Sequence, residues 1–379
     1  MPSKALIAGA GIAGLAAGIA LRKAGLEVEI FERAPDMREI GAGLSITPNG
    51  ADALRQLGVE VKVLEVRRLA LKTWRGQRLT DVPVDLMSKR YGFGFLIAHR
   101  ADLRAGLVAA FDHSAGIRLA AEVVGFDDAQ EKVRVNLQDG DSVDGDLLIG
   151  ADGLRSAVRR HLLNDGPPVY LGSTIWRGVV SAQGLGLEEG AGGNWIGRGG
   201  EFIAFHMVGG RIYWAAVAKA AEGGRPGTNG HKEDLLRRFG DWDHPVRAQI
   251  SATDEEAILR NDMYDRPPAR TWTVGRVTLT GDSAHPMTPN AGQGANQALE
   301  DAVALGESLA GQTDIPAALM AYQRRRFARA NRIVSQSRQA ARATQLENGL
   351  LCALRDGIAS RMPRVLLFRL MDATMAPPR

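Results

Sequence analysis

The sequence predicts an α/β protein built from a Rossmann-like nucleotide-binding domain, a mostly antiparallel second β-sheet and a helical C-terminal region. Three observations predict it. A strand, a glycine turn and a helix follow one another directly from Lys4; apolar and polar residues alternate between about 166 and 270; and apolar residues recur at helical spacing beyond Gly311.

The chain has 379 residues, of which 45% are hydrophobic and 24% charged, enough for a substantial core and long enough for two or three domains. Its formal net charge of +4 is spread along the chain, with arginines thickening only in the C-terminal third. There is no concentrated basic stripe with interleaved aromatics, so nucleic acid is not expected as a partner. Cys352 is the single cysteine, which excludes a disulfide framework and a cysteine-rich metal cage and points to a reducing, cytoplasmic setting. Met1-Pro2-Ser3-Lys4 runs straight into an apolar strand rather than into a cleavable leader, and no stretch of about 18 apolar residues offers a membrane span. No metal site is expected.

The elements follow in order. Ala5-Leu6-Ile7-Ala8 is a strand, 9–14 a glycine turn, the helix runs to about Lys23, and 28–32 is the next strand, together one βαβ unit of a parallel sheet. Glycine-rich 40–44 leads to a helix carrying Ala51, Leu54 and Leu57 on one face, whereas 61–98 reads as strands and turns. A helix over about 101–112 precedes a hairpin whose turn is Gln138-Asp139-Gly140, and 146–149 is a short buried strand. Segments 175–179, 202–205 and 212–215 form the second sheet; 223–230 reads as a mobile loop; a helix lies near 232–239; and after the Arg266-Pro267-Pro268 break, 274–280 resumes the buried-strand pattern. The domains are therefore expected at 1–72, 99–165 and 271–310 for nucleotide binding, 73–98 and 166–270 for substrate, and 311–379 for the helical region.

Gly9-x-Gly11-x-x-Gly14 lies between strand and helix, where the first glycine permits the turn, the second lets a pyrophosphate reach the backbone and the third lets helix and sheet pack closely. The helix N-terminus suits a diphosphate, and Glu32, closing the next strand, suits ribose hydroxyls. A glycine turn needed only for packing is the bland alternative, and nothing in this motif separates FAD from NAD.

Two later segments do. Gly150-Ala151-Asp152-Gly153-Leu154-Arg155-Ser156 follows a buried strand and opens a helix, and so does the run 281–296, Gly-Asp-Ser-Ala-His-Pro-Met-Thr-Pro-Asn-Ala-Gly-Gln-Gly-Ala-Asn. With 9–14, these closely resemble the three fingerprints of the class A flavoprotein monooxygenases, the family of para-hydroxybenzoate and salicylate hydroxylases, across most of the chain. The resemblance implies the para-hydroxybenzoate hydroxylase-like fold and tightly bound FAD. It places the cofactor against Gly9, Gly11, Ile12, Ala13, Gly14, Glu32, Arg33, Gly43, Ser45, Arg100, Val124, Asp152, Asp282, Pro289, Gly292, Gly294, Ala295 and Asn296. For Asp152 a plain helix-cap role is equally compatible. Independently of the family, Asp282 suits a polyol hydroxyl, and the helix from about Asn296 points its N-terminus at the negative edge of a reduced ring.

The resemblance further implies that NAD(P)H and O2 are co-substrates, with no resident nicotinamide domain, and that a small aromatic or heteroaromatic ring is hydroxylated through a C4a-hydroperoxyflavin. Arg177, His206, Trp214 and Thr47 are the candidate substrate contacts, and His206, Arg177 and Pro289 the candidate catalytic residues. His206 suits deprotonation of a phenol and Arg177 pairing with a substrate carboxylate. Their structural alternatives are a hydrogen-bonded strand histidine, a salt bridge within the sheet and, for Trp214, the core. His285 is assigned to packing the loop. Other readings stay open: epoxidation or oxygenation of a polycyclic natural product or antibiotic, an FAD reductase that never activates oxygen, and a non-catalytic FAD-binding protein. The chain is expected to act as a monomer or homodimer. Its C-terminal helices, with Arg324-Arg325-Arg326, are expected to pack over the flavin domain, with membrane-surface contact or dimerisation as the alternative.

Overall fold

A computed structural model describes residues 2–37, 41–112, 116–129, 131–225 and 230–378. Strand Lys4–Ala8 is flanked in parallel by Glu27–Phe31 on one side and Leu147–Gly150 on the other. Ile117–Arg118 extends the sheet beyond the former and Val277–Leu279 beyond the latter, with Thr273–Val274 as an antiparallel edge. Strands covered on both faces read as continuous apolar runs, and Ala5 to Ala8 are at most 1% exposed. Because the chain leaves Lys4–Ala8 toward one neighbour and returns later on the other side, a crevice opens at that strand's C-terminal end, between the Gly9 turn and Ala151. Helices Ile12–Lys23 and Gly294–Leu309 pack closely: a Cβ at Gly306 would lie 2.9 Å from that of Ala20.

Among the described residues the second sheet has seven strands, in the order Leu259–Asp265, Val169–Ser181, Arg211–Lys219, Gly200–Met207, Ala191–Ile196, Arg68–Thr73 and Arg78–Val82. Its pairs are antiparallel except for Ala191–Ile196 against Arg68–Thr73. Side chains alternate between its faces. Phe202, Ala204, Trp214 and Ala216 pack under helices Gly230–Phe239 and His244–Ala252 with Leu235, Phe239, Val246 and Ile250. Phe205, Ala215, Val217 and Ile175 point the other way, toward the nucleotide domain.

Several elements differ from the expectation. Val84–Tyr91 is a helix inside a segment read as strands and turns; it follows Pro83, has Asp85 in its first turn and Lys89 and Arg90 in its last, and ends at left-handed Gly92. Strand Arg68–Thr73 pairs within the second sheet although it straddles 72 and 73. Segment 274–280 does resume the first sheet with the buried strand Val277–Leu279, but only after a tight turn at Gly275, whose φ is +55°, from the short edge strand Thr273–Val274. Ile40 and residues 226–229 of the 223–230 loop lie outside the described residues.

The C-terminal region folds as helices Ile315–Thr344, Gly349–Arg361 and Arg364–Met375. The first packs on Gly294–Leu309, and the arginine run read as basic helix surface is split by this packing: Arg326 is 2% exposed, while Arg325 stays outside with Glu307. No helix among the described residues is long and apolar enough to cross a membrane.

Candidate active site

The three glycine-bearing segments converge on one trough. Its outer part, about 300 Å³, is lined by Gly9, Gly11, Glu32, Arg33, Arg100, Asp152 and Arg155. Its inner part, about 240 Å³, shares Gly11, Arg100, Ala151 and Gly153 with the outer and adds Ile12, Ala13, Gly43, Arg177, Asp282, Gly294 and Ala295. Gly9 adopts φ +98°, and a Cβ there would lie 2.6 Å from the Ala151 carbonyl oxygen, while one at Gly14 would collide with the Gly9 carbonyl. At Gly11 a Cβ would meet nothing within 4 Å, and at Gly294 only Asp282 Oδ1 at 3.9 Å. Gly9 and Gly14 are thus glycines because protein is close. Gly11 and Gly294 keep open space facing the trough.

Helices Ile12–Lys23 and Gly294–Leu309 both begin at this trough, and neither N-terminus has a side-chain cap or an acidic residue in its first turn. Their unpaired N–H groups and dipoles give the trough two positive ends. Glu32 is fixed by N–H donation from Ala10 at 2.8 Å and Ala34 at 2.9 Å, leaving further lone pairs to the crevice. The Asp282 carboxylate is open to the trough and accepts no hydrogen bond from the described residues. Lost hydration raises its pKa above the usual carboxylate value, against the opposing charges of His285 and Arg100.

The second and third segments are tied together. Asp152 caps helix Ala157–Leu163, accepting from Ala157 N at 2.7 Å and Ser156 Oγ at 2.5 Å, and Ser283 Oγ joins it at 3.2 Å. Arg159, fully buried, donates to the carbonyls of Ser283 and Ala284 at 3.0 Å each and to Asp165. Beneath the 281–296 run, Asp301 accepts from Gly281 N at 3.0 Å and Arg326 Nε at 2.7 Å and lies 2.5 Å from His285 Nε2. Burial alone would raise the Asp301 pKa, but His285 and Arg326 reverse that and hold it below the usual carboxylate range.

Beyond the trough's inner end lies a cavity of about 430 Å³. Gly43 lines the trough and Ser45 the cavity, as do Gly294 and Gly292 respectively, so the two spaces adjoin along one loop pair. The cavity walls are Leu69, Val82, Phe95, Ile175, Phe205 and Val217 from the sheets, with Leu367, Met371 and Met375 from the last helix and Pro289 beside Gly292.

Strand alternation sorts the substrate candidates. His206 lies on the same sheet face as Phe202 and Ala204, away from the cavity, with Nε2 2.6 Å from the Leu187 carbonyl oxygen. Trp214 is fully buried on that face, stacked on Phe202 and donating to Thr253 Oγ1 at 2.9 Å. Both therefore lie in the layer between sheet and helices, away from the cavity. Thr47 is also fully buried; its N–H donates to Asn296 Oδ1 at 3.0 Å and its hydroxyl to Asn49 at 2.6 Å. Asn296 is its partner in that interior, also donating to the Ser45 and Gly292 carbonyls at 3.1 and 2.8 Å, so it positions the loops. Arg177 faces the trough, not the apolar cavity, with one donor on Asn261 at 2.5 Å and Nε unpartnered; burial lowers its pKa, as does the Arg100 charge, while Tyr213 acts oppositely. Val124 is 44% exposed, and it is Val123 that lines the crevice. Arg155, within the second motif but not among the expected contacts, lines the outer trough, and Glu201, also unforeseen, lines the cavity. The only signal for Glu201 was an acid in an apolar strand, two residues from Ile203.

Comparison with known proteins agrees with this geometry. The family described as FAD binding domain matches residues 3–337. The chain is 41% identical to aurachin C monooxygenase/isomerase of Stigmatella aurantiaca over 363 residues, covering 94% of each chain. It is 33% identical to 3-hydroxybenzoate 6-hydroxylase 1 of Aquipseudomonas alcaligenes, covering 96% of this chain and 94% of that one. The crystal structure of Klebsiella pneumoniae HpxO complexed with FAD and uric acid superposes with a TM-score of 0.93 at 28% identity, covering 98% and 96%. The chain therefore belongs to the FAD-binding family of class A flavoprotein monooxygenases.

Proposed function

We propose that this protein is an FAD-dependent monooxygenase that consumes NAD(P)H and O2 and puts one oxygen atom on a small aromatic or heteroaromatic ring. The observation that supports it best is the apolar cavity adjoining, at Ser45, Pro289 and Gly292, a trough that begins two uncapped helices. The names of similar proteins, a hydroxybenzoate hydroxylase and a complex with uric acid among them, fit the same substrate class.

The residues fit FAD. The open faces of Gly11 and Gly294, the Asp282 carboxylate, unpartnered among the described residues, and the two helix N-termini suit the diphosphate, polyol and electron-rich ring of that cofactor. Arg33, Arg100 and Arg155 supply countercharge at the outer part, and Glu32 the acceptor for ribose hydroxyls. Bound FAD supplies the redox chemistry, carrying two electrons from NAD(P)H to O2. The overall reaction balances as NAD(P)H, a proton, O2 and the ring C–H giving NAD(P)+, water and the hydroxylated ring.

The chain's own part is binding and environment. The N-terminus of Gly294–Leu309 and the Arg177 guanidinium favour negative charge at the trough's inner end. The cavity walls keep water from the reacting ring, and Pro289 and Gly292 form the edge where substrate and cofactor spaces adjoin. Substrate-stimulated NAD(P)H oxidation under 18O2 tests the proposal. One labelled atom in the product is expected; stimulated oxidation with no label in any organic product would identify a reductase.

A further inference from the structure

The adjoining cavity concentrates its polarity at one place. Glu201, on strand Gly200–Met207, is 5% exposed and shares its sheet face with Ile203 and Phe205. Its two carboxyl oxygens accept from Asn194 Nδ2 at 2.9 Å and Asn290 Nδ2 at 2.8 Å. Oδ1 of each asparagine is buried without a partner. Among the described residues lining the cavity there is no lysine, arginine or histidine, and the remaining polar ones are Ser45 and Thr80.

These facts set the chemistry of what enters. A ring carboxylate would shed its hydration with no cation to meet it and would face the Glu201 oxygens. A neutral ring bearing O–H or N–H brings a donor to the Glu201 carboxyl, while its apolar body lies against Leu69, Phe95, Ile175 and Phe205. Size points the same way. An apolar cavity of ~150 Å³ suffices for benzene; this one, at about 430 Å³, leaves room for more than one ring even with part of it given to the cofactor. Lost hydration also pushes the Glu201 carboxyl above its usual range, against the Asn194, Asn290 and Thr344 hydrogen bonds and the charge of Arg355, which does not line the cavity.

We propose that Glu201, set between Asn194 and Asn290, is a specificity determinant that receives the O–H or N–H edge of a neutral, fused aromatic or heteroaromatic ring and turns ring carboxylates away. This rests on the monooxygenase reading for the chemistry that follows, but its binding claim is separable. The test is calorimetric titration of the FAD-loaded protein at pH 7, without NAD(P)H, with 2-naphthol and 6-hydroxy-2-naphthoate, one ring system without and with a carboxylate. The naphthol is expected to bind about tenfold or more tightly than the naphthoate. Glu201→Gln, checked for FAD content and circular dichroism, is expected to narrow that ratio about threefold or more, by weakening the naphthol and admitting the naphthoate. Asn290→Ala weakens the naphthol too, and stands in if the glutamine variant fails to fold. Equal or tighter binding of the naphthoate, no naphthol binding at millimolar concentration, or a ratio unmoved by the folded variants overturns the inference. Because no turnover is involved, correct binding without oxygen insertion would contradict the monooxygenase reading alone.

Discussion

A missing side chain matters here for two opposite reasons. Gly14 leaves no room for a Cβ because the Gly9 carbonyl is there; Gly11 and Gly294 leave room that only a ligand uses. Gly11→Val and Gly294→Val are therefore expected to fold, with melting temperatures within a few degrees of the parent, yet to retain FAD at least about tenfold more weakly, read as absorbance near 450 nm per chain. The glycine pattern was legible in sequence because a dinucleotide turn fixes both residue type and spacing. The substrate residues were not. Alternation in 202–206 and 212–217 shows that two faces exist but not which one looks at the cofactor, and this turned His206 and Trp214 inward to the helices while putting Glu201 and Arg177 on the functional side. His206→Ala is accordingly expected to cost about 1–3 kcal/mol of stability and to leave kcat nearly unchanged. Arg177→Met, by contrast, is expected to slow NAD(P)H-dependent reduction about tenfold or more, as stopped-flow absorbance would show.

At the scale of elements, helix Gly294–Leu309 serves two tasks at once: its N-terminus faces the trough and its body holds two buried acids for the long helix to neutralise. Glu300 accepts from Arg329 Nε at 2.8 Å, Asn49 at 2.6 Å and Arg326, and Asp301 from Arg326 at 2.7 Å. Removing one partner strands buried charge, so Arg326→Met is expected to cost ~3–5 kcal/mol in denaturant unfolding. It should also loosen the 281–296 run and with it FAD. The sequence made the long helix plain through its apolar spacing, and it showed the arginines. That Arg326 would be interior follows only from the carboxylates of a different helix, a pairing no local pattern announces. The helix Val84–Tyr91 was missed for a related reason: at eight residues it is too short for periodicity to stand out, and its Pro83 start and Gly92 stop read equally well as turns.

For the molecule as a whole, these acids set opposite pH dependences. Burial would raise the Glu300 pKa, but Arg326 and Arg329 outweigh it and the folded value is lowered. Its stabilisation is thus present above the unfolded value of about 4.3 and lost as pH falls through the folded one. Glu201 is raised by burial, so its contribution is present below that unfolded value and lost as pH rises through the folded one. Denaturant midpoints across pH 2–8 should show Arg326→Met with a flatter acid limb below about pH 4.3 than the parent, and Glu201→Gln gaining stability relative to the parent as pH increases above it. The three-part architecture was readable because each part has its own period, whereas the cavity between the parts belongs to no single segment: its walls come from strands near residues 69, 95, 175 and 205 and from a helix near 371. If three distant glycine-bearing segments form one cofactor trough, FAD titration of the apoprotein, followed by flavin absorbance and calorimetry, shows it most directly. One FAD per chain, with uptake weakened at least about tenfold by either Gly11→Val or Gly294→Val, is the predicted result; a folded protein that takes up no FAD, or takes it up unchanged in both variants, would contradict it.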